Sequence, residues 1–337
     1  MRASSINFQD LLTKFLIDYL PLQRGYSKNT ILSYRDTFKL LLNYIVIQKG
    51  IKLKKFNIRD FNRSLIIEFL EYYREKGGST SSANQRLAAI KSFVEFAQLE
   101  SVEYIAPLGD ISNIKSKKGT HKEISYLDTN QMKSLINFPS TNTETEFRHR
   151  LALTLLYDTG CRVQELCNIK ISDVFVNKST TIRLHGKGNK ERTVIVSDQT
   201  GKLLDAYIKK YKNNCLNTSY LITNRFHQQI DRDGISYIIN KYVTLLRHQG
   251  YNIPTNVHPH MFRHSKAMHM LEAGINIVYI RDFLGHEDIS TTMIYVRSDN
   301  RLKDEAINKL VPKIIDDENL PDWKKDSNLM DFLNSLG

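Results

Sequence analysis

The chain has 337 residues, 41% of them hydrophobic, which is enough for two domains and too long for one ordinary core. The net charge of +12 favours a polyanionic partner such as nucleic acid, although a basic protein without such a partner is an alternative. Three cysteines without a CxxC pair argue against a disulfide framework or a structural zinc site. No apolar run reaches the roughly 18 residues that span a bilayer. We therefore expect a cytoplasmic protein without membrane contact.

Residues 1–106 carry the apolar spacing of amphipathic helices. Helices are predicted over residues 8–19, 27–45, 57–75 and 87–97. Pro21 and Gly25 are expected to end the first helix, and the run Gly77, Gly78 and Ser79 to end the third. The pattern predicts a compact bundle of four or five helices.

Residues 107–123 lack this spacing and are rich in Lys, Ser and Gly, which predicts a basic linker between two domains. Its lysines are Lys115, Lys117, Lys118 and Lys122. A solvated loop is the simpler interpretation of such a charge run. Because the linker would join two domains of a basic protein, we favour the alternative in which these lysines lie along nucleic-acid phosphates.

Residues 124–315 combine helical patterns with two β-branched runs, at residues 180–185 and 192–196, which are separated by the sequence GKGNKE. Such a pair predicts a β-hairpin with a glycine-rich, basic turn. Helices are predicted over residues 129–136, 148–159, 201–211, 234–249, 259–272, 277–283 and 291–296. The predicted fold class is therefore mainly α with a small β-sheet (α+β).

Residues 316–337 form an acidic tail with six acidic residues and two lysines. Near its end, apolar residues at the spacing i, i+3, i+4 and i+7 predict one stripe on a short helix: Leu329, Phe332, Leu333 and Leu336. A helix this short is unstable alone and needs a surface on which to dock. That surface belongs either to the same chain or to a neighbouring protomer.

The second domain contains the residue types needed to break a phosphodiester by attack of a tyrosine hydroxyl: Arg162, His260, Arg263, His286 and Tyr295. A tyrosine has a pKa of about 10 and must lose its proton as it attacks. Arginine stays charged and can donate two parallel hydrogen bonds to the phosphate oxygens on which negative charge builds. The leaving oxygen needs a proton from a general acid.

Two further residues are candidates for support and for proton donation. Glu165 lies three residues after Arg162 and is expected to orient an arginine or a histidine, although a surface Arg–Glu pair is the simpler interpretation. Lys187 lies in the Gly-Lys-Gly turn of the predicted hairpin, from which it could protonate the leaving oxygen. A solvated turn is the simpler interpretation there.

His260 and Arg263 share one face of a predicted helix at i and i+3. His264 adds an HxxxH spacing, which occurs in metal sites. A zinc-protease motif needs Glu directly after the first histidine, and Met261 occupies that position. We therefore expect no metal, and we expect His264 to be structural.

Four segments, TGCRVQEL, HGKGNKERTV, HPHMFRHSKAMHML and LGHEDISTTMIYV, resemble in order and spacing the motifs of the tyrosine recombinase family, which comprises phage integrases, Xer-type recombinases and transposon recombinases. They span about residues 150–300. The resemblance implies a C-terminal catalytic domain of this family. It also implies that the N-terminal bundle is the family's core-binding domain, which contacts DNA.

By position, the resemblance implies catalytic roles for Arg162, Lys187, His260, Arg263, His286 and Tyr295, with Glu165 in support. The two arginines would clamp the phosphate and the second histidine would contact it. The lysine would protonate the leaving oxygen, and the first histidine would assist proton transfer from the tyrosine. The tyrosine would be the nucleophile, leaving a 3′-phosphotyrosine and a free 5′-hydroxyl.

The implied function is site-specific DNA recombination, for integration or excision of a mobile element or a related rearrangement, without metal, ATP or cofactor. The implied partners are double-stranded DNA at specific sites, further protomers in a tetramer on DNA, and accessory DNA-binding proteins. Tails of this family dock on a neighbouring protomer, so we favour that surface for the terminal helix. A nucleoid-associated location in the cytoplasm follows.

Three other functions compete with this interpretation. A type IB topoisomerase resembles the family in fold and residue set but relaxes DNA as a monomer, and the docking tail and separate N-terminal bundle argue against it. A catalytically silent DNA-binding regulator would not need a catalytic residue at every family position, and all six positions are filled in this chain, which argues against it. A metal-dependent nuclease needs clustered carboxylates, and the sequence contains no recognisable spacing of that kind.

Overall fold

The computed structural model describes residues 7–119, 124–186, 190–213, 215–298, 331 and 333–335. The chain divides into two compact units, residues 1–122 and 123–337. Its described part is mainly helical, and the three-stranded sheet lies in the second unit. This architecture confirms the predicted mainly α fold with a small sheet.

The first unit is a helical bundle of α1 (Phe8–Lys14), α2 (Lys28–Lys49), α3 (Arg63–Glu75), α4 (Thr80–Glu100) and α5 (Ile105–Ser112). Each of the first four helices begins after a side chain that accepts a hydrogen bond from the first turn: Asn7, Ser27, Asn62 and Ser79. Aromatic rings fill the core between these helices, among them Phe8, Phe15, Phe38, Phe93 and Phe96.

The first helix does not end at Pro21, as the sequence had indicated. It continues as a π-helical segment, Phe15–Gln23, which passes through the proline. Proline lacks the N–H that an α-helix needs, and a π turn is a local adjustment of the helix that accommodates such a change. Burial of Tyr19 and Leu20 against the bundle keeps the segment helical.

The prediction of a linker at residues 107–123 is wrong for the first half of that segment. Residues 107–112 belong to α5, and Leu108, Ile111 and Ile114 are buried in the core of the first unit. The backbone of Lys117 also exchanges two hydrogen bonds with the side chain of Asn84, at 2.8 and 3.1 Å. Leu108 and Ile111 form the buried face of this short helix and Ile114 follows its end, and the polar residues between them obscured this pattern in the sequence.

The predicted nucleic-acid-binding lysines of this segment are exposed where they are described: Lys115, Lys117 and Lys118. Lys122 lies outside the described residues. The Nζ of Lys117 lies 4.0 Å from Oε1 of Glu71 on α3, a surface pair that solvent screens. All three described lysines therefore remain accessible to a polyanion.

The second unit contains helices α6 (Thr129–Asn137), α7 (Glu144–Asp158), α8 (Val163–Asn168), α9 (Asp198–Tyr211), α10 (Arg232–His248), α11 (Pro259–Glu272), α12 (Ile277–Leu284) and α13 (Ser290–Ser298). Its strands β1 (Val174–Phe175), β2 (Thr181–His185) and β3 (Glu191–Ile195) form an antiparallel sheet in the order β1-β2-β3. Within the predicted hairpin, Leu184 of β2 pairs with Arg192 of β3. The central helix α7 packs against α9 and α11 and supplies much of the core.

Of the predicted docking stripe, Leu333 is described and is exposed, whereas Leu329, Phe332 and Leu336 lie outside the described residues. Within the described ranges, no helix combines the length and apolar character needed to cross a membrane. The same ranges contain no group of three or more His, Cys, Asp or Glu side chains arranged to hold a metal ion.

Candidate active site

Several elements of the second unit bring the predicted catalytic residues into one region. Arg162 directly precedes α8, His260 and Arg263 lie on α11, His286 follows α12, and Tyr295 lies on α13. Lys187, in the turn between β2 and β3, lies outside the described residues. The site therefore depends on helices that are distant in sequence and that meet around the end of α12.

The carboxylate of Glu165 lies at the centre of a buried hydrogen-bond network. The backbone N–H and Nη1 of Arg162 donate to it at 2.8 and 3.0 Å, and Nη1 and Nη2 of Arg192 donate to its two oxygens at 3.0 and 2.8 Å. Burial alone would raise the pKa of Glu165, but Arg192 and Arg162 outweigh it and hold the pKa below its ordinary value. Glu165 is thus ionised and accepts hydrogen bonds from two arginines, where the sequence had predicted an arginine or a histidine.

Arg192 is part of this network although nothing in the sequence pattern singled it out. Besides its two bonds to Glu165, its Nε donates to the carbonyl oxygen of Phe283 at 3.3 Å. The available signal was its place in the HGKGNKERTV motif, three residues before the end of β3. Strand alternation predicts the face on which a side chain lies but not its partner, so the pairing with Glu165 required the tertiary structure.

Arg263 is buried, and backbone carbonyls hold its guanidinium. Nη1 donates to the oxygen of Gly160 at 2.7 Å and Nη2 to the oxygen of Leu284 at 2.8 Å. Burial, followed by the like charges of Arg162 and Arg192, lowers the pKa of Arg263 to about 10. It therefore stays charged at neutral pH and joins the segment before Arg162 to the end of α12.

Gly160 allows the segment before Arg162 to lie close to the end of α12. Its φ of +56° is a left-handed conformation that favours glycine. A Cβ atom at this position would also lie 2.9 Å from Cδ2 of Leu284. A side chain here would therefore displace the buried side chain of Leu284 at the end of α12.

Tyr295 is buried, with a relative exposure of 1%. Its hydroxyl lies 3.0 Å from Nδ1 of His264, and the two rings meet edge to face with centroids 5.7 Å apart. Burial raises the pKa of Tyr295, against a smaller opposing effect of the positive charge of Arg263. His264, expected to be structural, therefore contacts the hydroxyl of the predicted nucleophile.

The histidines of the site are held in the neutral form. Burial, and then the charge of Arg263, lowers the pKa of His286 to about 4, and burial and His260 lower that of His264 to about 4. The pKa of His260 is also lowered, by burial and then by Arg263. Nδ1 of His286 lies 2.8 Å from Oγ1 of Thr292, which orients the ring.

The arrangement is suited to an anion with several oxygens. Arg162, Arg192 and Arg263 bring three positive charges to the region and Glu165 one negative charge, so two positive charges are left uncompensated among these four groups. Arg162 keeps 40% of its side-chain surface exposed and is the arginine most open to a ligand. Neutral histidines beside these charges can accept or donate a proton.

Models of two protein domains match the chain. The phage integrase family model matches residues 125–301, and a model of the phage integrase N-terminal SAM-like domain matches residues 13–101. The chain is 30% identical over 328 residues to a putative integrase/recombinase of Sinorhizobium fredii, with 97% of each protein covered. It is 32% identical over 301 residues to the tyrosine recombinase XerD of Staphylococcus haemolyticus, covering 88% of this chain and 97% of that relative.

Solved structures share the fold. The XerH site-specific recombinase bound to a palindromic difH substrate is similar with a TM-score of 0.66 at 19% identity, covering 84% of this chain and 81% of that one. The integrase of transposon Tn1549 in complex with transposon right-end DNA gives a TM-score of 0.66 at 18% identity, covering 88% and 99%. At these identities the likeness concerns the fold alone.

Proposed function

This chain belongs to the phage integrase family, together with the tyrosine recombinases, and we propose that it is a site-specific recombinase that cuts and rejoins DNA through a 3′-phosphotyrosine. The supporting observation is one region in which the hydroxyl of Tyr295 lies 3.0 Å from Nδ1 of His264, the residue after Arg263 on α11, while Arg263 itself donates to the carbonyl oxygen of Gly160, two residues before Arg162. Such a region combines a nucleophile with the positive charge that a reacting phosphate requires.

In the proposed reaction, the hydroxyl oxygen of Tyr295 forms a bond to phosphorus while the bond to the 5′ oxygen breaks. Arg162 and Arg263 stabilise the negative charge on the nonbridging oxygens, and His286 contacts them. Lys187 donates a proton to the departing 5′ oxygen, and His260 assists removal of the tyrosine proton. Because the phosphotyrosine retains the bond energy, the 5′-hydroxyl of a partner strand can attack the phosphorus, which forms a new phosphodiester and releases the hydroxyl of Tyr295, without ATP or metal.

The burial of Tyr295 adds a requirement to this mechanism. A hydroxyl on a side chain that is buried and hydrogen-bonded to His264 cannot approach a DNA phosphate. Binding of DNA must therefore be accompanied by a displacement of the tyrosine side chain or of α13. The free protein would then be protected from cleaving DNA outside a correctly bound site.

Double-stranded DNA is the proposed substrate, and the Tn1549 integrase supports this proposal because that protein was solved in complex with transposon right-end DNA. We further propose that four protomers assemble on two DNA sites, with the tail helix of one protomer docked on the next. Deletion of residues 322–337 should abolish cooperative assembly on DNA but leave the binding of a single protomer unchanged. Unchanged assembly would contradict docking between protomers, and relaxation of supercoiled DNA by one protomer would favour a topoisomerase.

A suicide-substrate assay tests the reaction itself. Nicked duplexes that tile the DNA bordering the gene are incubated with the wild-type protein, with Tyr295→Phe and with Tyr279→Phe, and covalent adducts are detected by denaturing electrophoresis. Tyr279 is a matched control, because it lies on the adjacent helix α12 and is 70% exposed. We expect adducts with the wild type and Tyr279→Phe and none with Tyr295→Phe.

Other outcomes of this assay assign a different role. Adducts with all three proteins would mean that another tyrosine attacks. Tight binding of a duplex without any adduct would favour a catalytically silent regulator.

A further inference from the structure

Arg192 lies on β3, and its position in the sheet is fixed by pairing with Leu184 on β2. Its guanidinium contacts two elements outside the sheet. Two nitrogens donate to Glu165 on α8, and the third donates to the last turn of α12 through the oxygen of Phe283. With a side-chain exposure of 16%, this arginine is directed into the protein and has little surface for DNA.

The bonds to Glu165 determine the orientation of a second arginine. A bidentate pair fixes the plane of a carboxylate, because both oxygens must meet the planar guanidinium. The same two oxygens accept the bonds from Arg162, whose side chain is the more exposed of the two. Arg192 therefore holds Glu165 in the orientation from which it orients Arg162.

An independent observation places Arg192 against the turn that carries His286. Gly285, directly before His286, has a φ of +66°, and a Cβ built there would lie 3.0 Å from Cδ of Arg192. A glycine is therefore favoured here for two reasons: the turn has a left-handed backbone, and a side chain would lie too close to Arg192. Arg192 lies on the strand that follows the Lys187 turn, and from there it contacts Glu165, which supports Arg162, and the turn before His286.

On the basis of the proposed function, we propose that Arg192 is a positioning residue for the recombination reaction. It aligns Arg162 and His286 and does not itself contact the DNA. The expected signature is a slower chemical step with little change in DNA affinity. A misplacement of reacting groups by about 1 Å is enough to cost on the order of 100-fold in rate. A direct phosphate contact would instead weaken DNA binding together with the rate.

The test compares Arg192→Met, Arg192→Lys and a matched control, Arg183→Met. Arg183 lies on β2 of the same sheet and pairs with the buried carboxylate of Asp173, with Nη2 3.1 Å from Oδ1, so Arg183→Met likewise removes an arginine from a buried carboxylate. Single-turnover cleavage of a nicked duplex that the wild type cleaves, and the Kd for the same duplex, are measured for each protein. Thermal unfolding by circular dichroism identifies variants that fail to fold.

We expect Arg192→Met to cleave on the order of 100-fold more slowly with a Kd within about 3-fold of wild type, and Arg183→Met to cleave at nearly the wild-type rate. Arg192→Lys keeps the charge but not the bidentate bond, so it should lose rate to an intermediate extent. Because both residues act through one network, Arg192→Met combined with Glu165→Gln should be no slower than the slower single variant.

Several results would overturn the proposal. They are a wild-type rate in Arg192→Met, a loss of affinity as large as the loss of rate, or additive effects in the combined variant. If Arg192→Met does not fold, Arg192→Lys alone decides: an undiminished rate in that folded variant contradicts a role for bidentate alignment. Absence of any adduct with the wild-type protein would refute the proposed function as a whole, which is a distinguishable outcome.

Discussion

The contact between His264 and Tyr295 predicts that the free protein in solution holds the proposed nucleophile retracted, and a double-mutant cycle measures this. A hydrogen bond of 3.0 Å between two neutral groups should contribute about 1 kcal/mol. His264→Leu leaves the buried hydroxyl unpaired and should cost about 2 kcal/mol, within the usual penalty for such a group. Tyr295→Phe should cost about 1 kcal/mol, and the double variant about 1 kcal/mol less than the sum of the two.

The free energy of unfolding is measured for all four proteins by urea denaturation followed by far-UV circular dichroism at pH 7. In a unit of roughly 200 residues, 1 kcal/mol also corresponds to about 2–4 °C in Tm, which gives a second measurement. The matched reference is the pair of His269 and Tyr157, since His269 lies on the same helix and its Nδ1 is 2.9 Å from that hydroxyl. A coupling energy below about 0.3 kcal/mol for His264 and Tyr295, with a normal value for the reference pair, would refute the retracted position.

Four further predictions concern the same unit and the segment before it. Glu165→Gln should destabilise the protein by about 3 kcal/mol in urea denaturation, which is the low end for a broken buried ion pair because Arg162 is partly exposed. Asp205→Asn, in an exposed ion pair, should cost less than about 0.5 kcal/mol, and equal costs for the two variants would contradict the network around Glu165. Gly160→Ala should cost at least about 1–2 kcal/mol in the same measurement because of its left-handed backbone, and an unchanged stability would contradict that conformation. The folded pKa of His286, about 4, lies below its ordinary value near 6.5, so the unfolded chain takes up the proton first and stability should fall as the pH is lowered from 6.5 to 4. His286→Asn should make that fall smaller in urea denaturation at both pH values, with His264, whose pKa is also about 4, contributing to the remainder. Replacing the three exposed lysines of residues 115–118 with alanine should reduce the slope of log Kd against log salt concentration by about 0.9 for each DNA phosphate that is no longer neutralised, and an unchanged slope would place DNA elsewhere.

The helix that carries His260 and Arg263 shows that local sequence signals can predict where a helix begins and ends. Its predicted bounds, residues 259–272, agree with α11, because Pro259 begins the helix at a position where a missing N–H has no cost and Gly274 follows its end. The hairpin strands also agree closely with β2 and β3, since β-branched residues flank a glycine-rich turn. These signals involve neighbours in the chain and need no knowledge of the rest of the fold.

Elements that depend on distant partners were predicted less well. The short helix α5 was interpreted as a linker, because its few apolar residues are stabilised by the bundle on which they pack and not by their own sequence. The two-residue strand β1 exists through its pairing with β2 and has no pattern of its own.

The sequence by itself determined the family resemblance, the fold class and the residues to which chemistry is assigned, since these follow from residue types at fixed spacing along single helices and turns. The tertiary structure alone decided which groups touch: Arg192 meets Glu165 from 27 residues away, and His264 meets Tyr295 across 31. Periodicity places a side chain on a face but does not specify what packs against that face, because that depends on how separate helices and strands come together.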